Sequence, residues 1–241
     1  MKRLKVSIVL VFIGLMSLIY GCGGSGSGES DGPTWQTSKS AVDNEVSEYA
    51  GTYTESYGTN WYFKFICSSD GTALYYYQKP MWYGLYIQAG FGRIDSTGNL
   101  SMQYVGFGND GHNVDSGNPT GTISGDTVTI DGGDFTNVPR NPDKSDILHF
   151  AGAYRGTIEE DGESSPAELI IGVGTDGTVI SLAKSDEGFA AMTGTVAQAG
   201  NIDCDGYYID SSTMMEYGTV NIWGELNETS GDGEWDSEQI Y

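Results

Sequence analysis

Two stretches of this chain space oxygen-bearing side chains in a way that suits a hard cation. Asn109, Asp110, Asn113 and Asp115 are set around a glycine in Asn109-Asp110-Gly111-His112-Asn113-Val114-Asp115. Asp203-Cys204-Asp205-Gly206, with Asp210 beyond it, repeats the idea. Calcium collects several carboxylate and carbonyl oxygens from such loops. Both stretches lack the terminal glutamate that would complete a calcium loop, and Asx residues also favour turns with no metal. A structural calcium and a plain turn both stay open. A third candidate is aromatic: Tyr75, Tyr76, Tyr77, Trp82, Tyr83 and Tyr86 crowd one short segment. Consecutive tyrosines on a strand must point to both faces, so part of the set lies outside any core. Exposed Tyr and Trp offer flat amphipathic contact area for a glycan or a protein ligand. The competing account is a ladder of cross-strand tyrosine pairs that only stabilises a sheet.

The hydrolase constellations fail on inventory. His112 and His149 are the only histidines, and neither has a serine or cysteine beside it in a nucleophile motif. No zinc-type spacing and no phosphate-binding glycine loop occur. The 33 acidic residues leave paired carboxylates open as a catalytic device. Cys67 and Cys204 either pair in an exported compartment or sit apart as buried thiols.

These residues need elements to position them, and an address. Met1-Lys2-Arg3-Leu4-Lys5 is a basic start, and an apolar run from Val6 to Tyr20 follows. That order describes a secretory signal too short to span a bilayer. Its ending, Ile19-Tyr20-Gly21-Cys22, resembles the lipobox of bacterial lipoproteins. The resemblance implies cleavage before Cys22 and lipid on its thiol and new amine. Gly23 after the cysteine leans towards the outer membrane or cell surface. A Gly/Ser-rich run, Gly23 to Pro33, can bury nothing and reads as a flexible tether. With residues 22–47 assigned to lipidated Cys and tether, about 25 residues would reach roughly 25–30 Å. The whole chain carries 11 basic and 33 acidic residues, a net charge of −22. Loss of the basic start would deepen it to about −25. That excludes nucleic acid, whose phosphates demand a basic surface.

The remainder repeats itself once. Tyr49-Ala50-Gly51-Thr52-Tyr53 returns as Phe150-Ala151-Gly152-Ala153-Tyr154, and Ser69-Asp70-Gly71-Thr72 as Thr175-Asp176-Gly177-Thr178. Gly98-Asn99-Leu100 returns as Gly200-Asn201-Ile202, Gly121-Thr122-Ile123 as Gly218-Thr219-Val220, and Gly133-Asp134-Phe135 as Gly233-Glu234-Trp235. Five anchors in order argue for two homologous units, 48–140 and 148–241, joined across Pro139 to Lys144. Phe63 and Phe65 alternate with Tyr62, Lys64 and Ile66, the period of a strand. Asp70-Gly71 and Asp176-Gly177 lie between strand-like runs and predict hairpins. The expectation is all-β: two tandem antiparallel meander units, small barrels or sandwiches, after the 1–21 signal and the tether. The order of Gly-x-Tyr, apolar strand, Asp-Gly-Thr turn and Gly-aromatic ending resembles avidin- and calycin-type meanders, from which no ligand or site is carried over.

Two functions from different classes fit this reading. The first is a lipid-anchored, non-catalytic envelope protein that binds or scaffolds. The second is an envelope enzyme that acts on glycans through an acidic pair beside the aromatic surface.

Overall fold

The computed structural model describes residues 33–54, 62–82, 84–108, 114–130, 133–137, 142–160, 163–185, 188–210 and 217–240. Cys22, Tyr83, Asn109, Asp110 and Asn113 lie outside them. The first strands in chain order are β1 (Thr34–Lys39), β2 (Gly51–Thr54), β3 (Tyr62–Cys67), β4 (Thr72–Met81), β5 (Gly84–Ile94) and β6 (Asn99–Gly108). Next come β7 (Asp115–Gly117), β8 (Thr120–Ser124), β9 (Thr127–Ile130), β10 (Gly133–Asn137), β11 (Gly152–Glu160) and β12 (Glu163–Val173). The last are β13 (Thr178–Lys184), β14 (Gly188–Val196), β15 (Asn201–Asp210), β16 (Tyr217–Leu226) and β17 (Ser230–Ile240). Every pairing between them is antiparallel, and two 3-10 segments, Ser47–Tyr49 and Pro142–Phe150, are the only helical turns among the described residues.

The strands close into two eight-stranded barrels. In barrel 1, β2 to β6 run in order and β5 pairs with β6. The ring is completed through β8, β9 and β10 back to β2, and β7 continues beside β6 where β8 stops. In barrel 2, β11 to β17 run in order and β1 fills the seam between β17 and β11. The all-β, two-unit expectation is met as barrels. One boundary is corrected: residues 34–39, assigned to the tether, are a strand of barrel 2. Trp35 and Thr37 alternate inward there, and Trp35 is fully buried. The expected linker is shorter too, because 142–150 folds into a turn whose Ile147 and Phe150 pack into the core of barrel 2.

The repeat is visible atom by atom. The Tyr53 hydroxyl donates to the Tyr49 carbonyl, and the Tyr154 hydroxyl to the Phe150 carbonyl. Asp70 accepts from the Thr72 N–H and hydroxyl, and Asp176 does the same for Thr178. Gly71 and Gly177 follow those aspartates at φ 80° and 82°, a left-handed turn that a side chain would strain. The fourth and fifth anchors are misaligned, however. The Ile123 N–H donates to Gly98 O and the Leu226 N–H to Gly200 O, so Ile123 matches Leu226 rather than Val220. Gly233 lies within β17, opposite Gly224, and thus matches Ile130 of β9, opposite Gly121.

Phe63, Phe65, Cys67, Ala73, Tyr75, Leu100 and Met102 fill barrel 1. Leu169, Ile171, Val179, Met192, Cys204, Val220 and Ile222 fill barrel 2 around Trp35. A third apolar layer joins the two outer walls: Ile66, Leu74, Tyr76, Ile87 and Phe107 meet Ile170, Ile180, Leu182, Phe189 and Ile209. This layer explains runs such as Leu169-Ile170-Ile171, apolar at every position: one face turns into the barrel and the other against its neighbour. Lys64 pairs with Asp176 at 3.2 Å, and an Arg155 N–H donates to the Thr72 hydroxyl across the same boundary. Residues 32–241 thus form one compact unit.

Candidate functional site

Beside that apolar layer the barrels diverge and leave a cleft of about 550 Å³, within the size range of small-ligand sites. Strand alternation builds it. On β15, Asp203, Asp205 and Tyr207 point outward while Cys204 and Ile202 point into the barrel. Register carries the pattern sideways: Thr193, Asp205, Asn221 and Asp236 stand opposite one another across β14 to β17. Tyr207, Thr219 and Glu238 form the next row. The facing wall is Tyr76 and Gln78 of β4.

The polar groups are tied to one another. The Asn221 amide donates to Asp205 at 2.7 Å and Asp203 at 3.0 Å, which fixes both carboxylates. The Tyr76 hydroxyl donates to the Gln78 side-chain oxygen at 3.1 Å. Burial, with Tyr207 and Tyr62 nearby, pushes the Tyr76 phenol far above its usual range. Among the described residues no lysine, arginine or histidine lines the cleft, and none occurs in the sequence from 185 to 241. Such walls reject phosphate, sulfate and carboxylate ligands, since nothing opposes their charge. They present acceptors, amides and the Tyr207 phenol to a ligand rich in hydroxyl or amine donors.

The aromatic candidates do not form one surface. Tyr75 is buried inside barrel 1, stacked on Phe63 at 6.1 Å. Tyr76 faces the other way, into the layer between barrels and the cleft floor. Tyr77 and Tyr86 turn inward near the open end of barrel 1, edge to face at 6.5 Å. There Asp115, the one described candidate of the first cation stretch, accepts from Tyr86 at 2.7 Å and from Tyr104 at 3.4 Å. Burial first, then Asp115, raises the Tyr86 phenol. Trp82 is 92% exposed at the β4–β5 tip.

The second cation stretch is corrected from loop to strand. Asp203 and Asp205 share Asn221, Asp210 ends β15, and no metal-holding group of three or more His, Cys, Asp or Glu gathers among the described residues. Of the two alternatives for Cys67 and Cys204, the structure has the separate buried thiols. Both are free and buried, one in each barrel's core. Burial, assisted by Asp70, pushes the Cys67 thiol up to about 12.

The structure therefore joins Tyr76 and Asp205, from two separate candidate sets, in one cleft. Tyr207, Asn221, Asp236 and Glu238 were missed. Their signal was present as alternate-position spacing in a base-free stretch, but only the register shows that the strands lie side by side. No known protein family, curated protein or solved structure matches this chain.

Proposed function

We propose that this is a lipid-anchored, non-catalytic binding protein of a bacterial envelope, tethered through Cys22, that takes a glycan in the cleft between its barrels. The observation that carries the ligand class is the cleft wall: a tyrosine, amides and oriented carboxylates, with no basic residue among the described ones. Sugar hydroxyls donate to such carboxylates, and the sugar ring stacks on tyrosine. The anchor rests on the lipobox-like ending alone. Intact mass of membrane-extracted protein should show residues 22–241 plus lipid. A mass that starts elsewhere, or full membrane retention of Cys22→Ser, refutes it. For the cleft, an oligosaccharide screen of residues 32–241 should yield ligands whose affinity falls about tenfold or more in Tyr207→Ala.

One arrangement favours a second reading, a glycan-cleaving enzyme. Asp205 and Asp236 flank Asn221 in a single transverse row, and paired carboxylates perform that chemistry. Catalysis predicts that Asp205→Asn or Asp236→Asn alone abolishes turnover of a bound glycan. Binding predicts that neither single change abolishes ligand capture.

A further inference from the structure

We infer that the two repeats close each other: each contributes its leading strand as the eighth stave of the other's barrel. The register makes β1 and β10 equivalent. Lys39 of β1 pairs with Tyr154, and Asn137 of β10 pairs with Tyr53, the matching tyrosine. On the other edge, Thr37 pairs with Gly231, opposite Leu226, and Phe135 pairs with Val128, opposite Ile123. Leu226 and Ile123 are themselves matched through Gly200 and Gly98. The natural repeats are therefore 34–130 and 133–240, each opening with the strand that it gives away. After β1 the chain crosses at once: Ser40 N–H donates to Ala153 of barrel 2, and Asp43 N–H to Ser69 of barrel 1.

The N-terminal strand is thus a strap on the C-terminal barrel. Trp35 is its anchor. Its indole N–H donates to the Trp223 carbonyl at 3.2 Å and the Glu234 carbonyl at 3.1 Å. A Cβ on Gly224 or Gly233 would lie 2.8 Å from the Trp35 ring, so those strands are cut to receive it. The strap holds β17, which carries Asp236 and Glu238 of the cleft wall. A segment that precedes barrel 1 in sequence thereby sets the integrity of barrel 2.

Hydrogen exchange on the full chain, peptide by peptide, tests this exchange of staves and needs no ligand. Both variants lower the stability that the barrels share, so the reading is the local excess over that common shift. Trp35→Ala should speed exchange in β11 and β17 about a hundredfold or more beyond the change in β3 to β5. A proline in β10, Thr136→Pro, should loosen β2 and β9 well beyond the change in β13 to β15. That crossed pattern supports the inference. If Trp35→Ala loosens barrel 1 more than barrel 2, if Thr136→Pro loosens barrel 2 more than barrel 1, if either variant loosens both alike, or if neither changes anything, the inference fails. Should Trp35→Ala not fold, Trp35→Phe keeps a ring, drops both indole bonds and must show the same crossing at smaller amplitude.

Discussion

Leu74→Ala cuts a side chain to a methyl in the layer between the barrels, where Leu74 is fully buried against the outer wall of barrel 2. At about 0.8 kcal/mol per methylene, the lost burial is worth about 2.4 kcal/mol. Incomplete collapse of the site adds to it, so the total cost is about 3 kcal/mol. For a unit of this size each kcal/mol shifts the midpoint by about 2–4 °C, giving a drop of about 6–12 °C. Urea and thermal unfolding of residues 32–241 would measure it, with hydrogen exchange reporting β3 in barrel 1 and β16 in barrel 2 separately. Both reporters should move together in one transition, because the layer belongs equally to the two walls. Two separated transitions, a cost below about 1 kcal/mol, or a shift confined to barrel 1 would refute the argument that the barrels share a core.

Other outcomes follow from the same structure. Trp82→Ala should change stability by less than about 0.5 kcal/mol in urea unfolding, because Trp82 is 92% exposed. Cys67 and Cys204 should resist thiol reagents in the native state at pH 8 and react fully after unfolding, as burial raises both thiols. Stability should also fall in strong alkali. The Cys67 thiol titrates near 9 when unfolded and at about 12 when folded, so its contribution is complete below pH 9 and lost as pH rises through 12. The acid side runs the other way. Burial alone would raise the Asp176 carboxyl, but the Thr178 N–H, Lys64 and the Thr178 hydroxyl outweigh it and hold it below its ordinary value. Its contribution is present above about pH 4 and lost as pH falls further, and Lys64→Met should flatten that acid slope in urea midpoints.

The strands and turns were legible because their signals are local. Alternation in Tyr62–Cys67 and the Asp-Gly turns at 71 and 177 need only neighbouring residues, and both stand where they were read. Strand partnership was not legible in the same way. Nothing local in Thr34–Lys39 tells that it will lie beside β17, about 200 residues later, so a strand next to a Gly/Ser-rich run passed for tether. The tyrosine run was readable as two-faced, but which face would be covered depends on the second barrel. Tyr76 became part of an interface for that reason. Asp203 and Asp205 looked like a loop site because their spacing fits a loop, and the same spacing is the outward face of a strand. The cleft needs four strands in register, which no single segment encodes.

The glycan claim meets its most direct test in one experiment. Residues 32–241 are titrated with the oligosaccharide that binds best in a screen, and backbone hydrogen exchange is compared with and without it. The account predicts new protection at 203–207, 219–221 and 236–238 in barrel 2 and at 76–78 in barrel 1. Protection centred instead on Tyr86, Asp115 and the Trp82 tip, or no oligosaccharide bound at millimolar concentration, would contradict it.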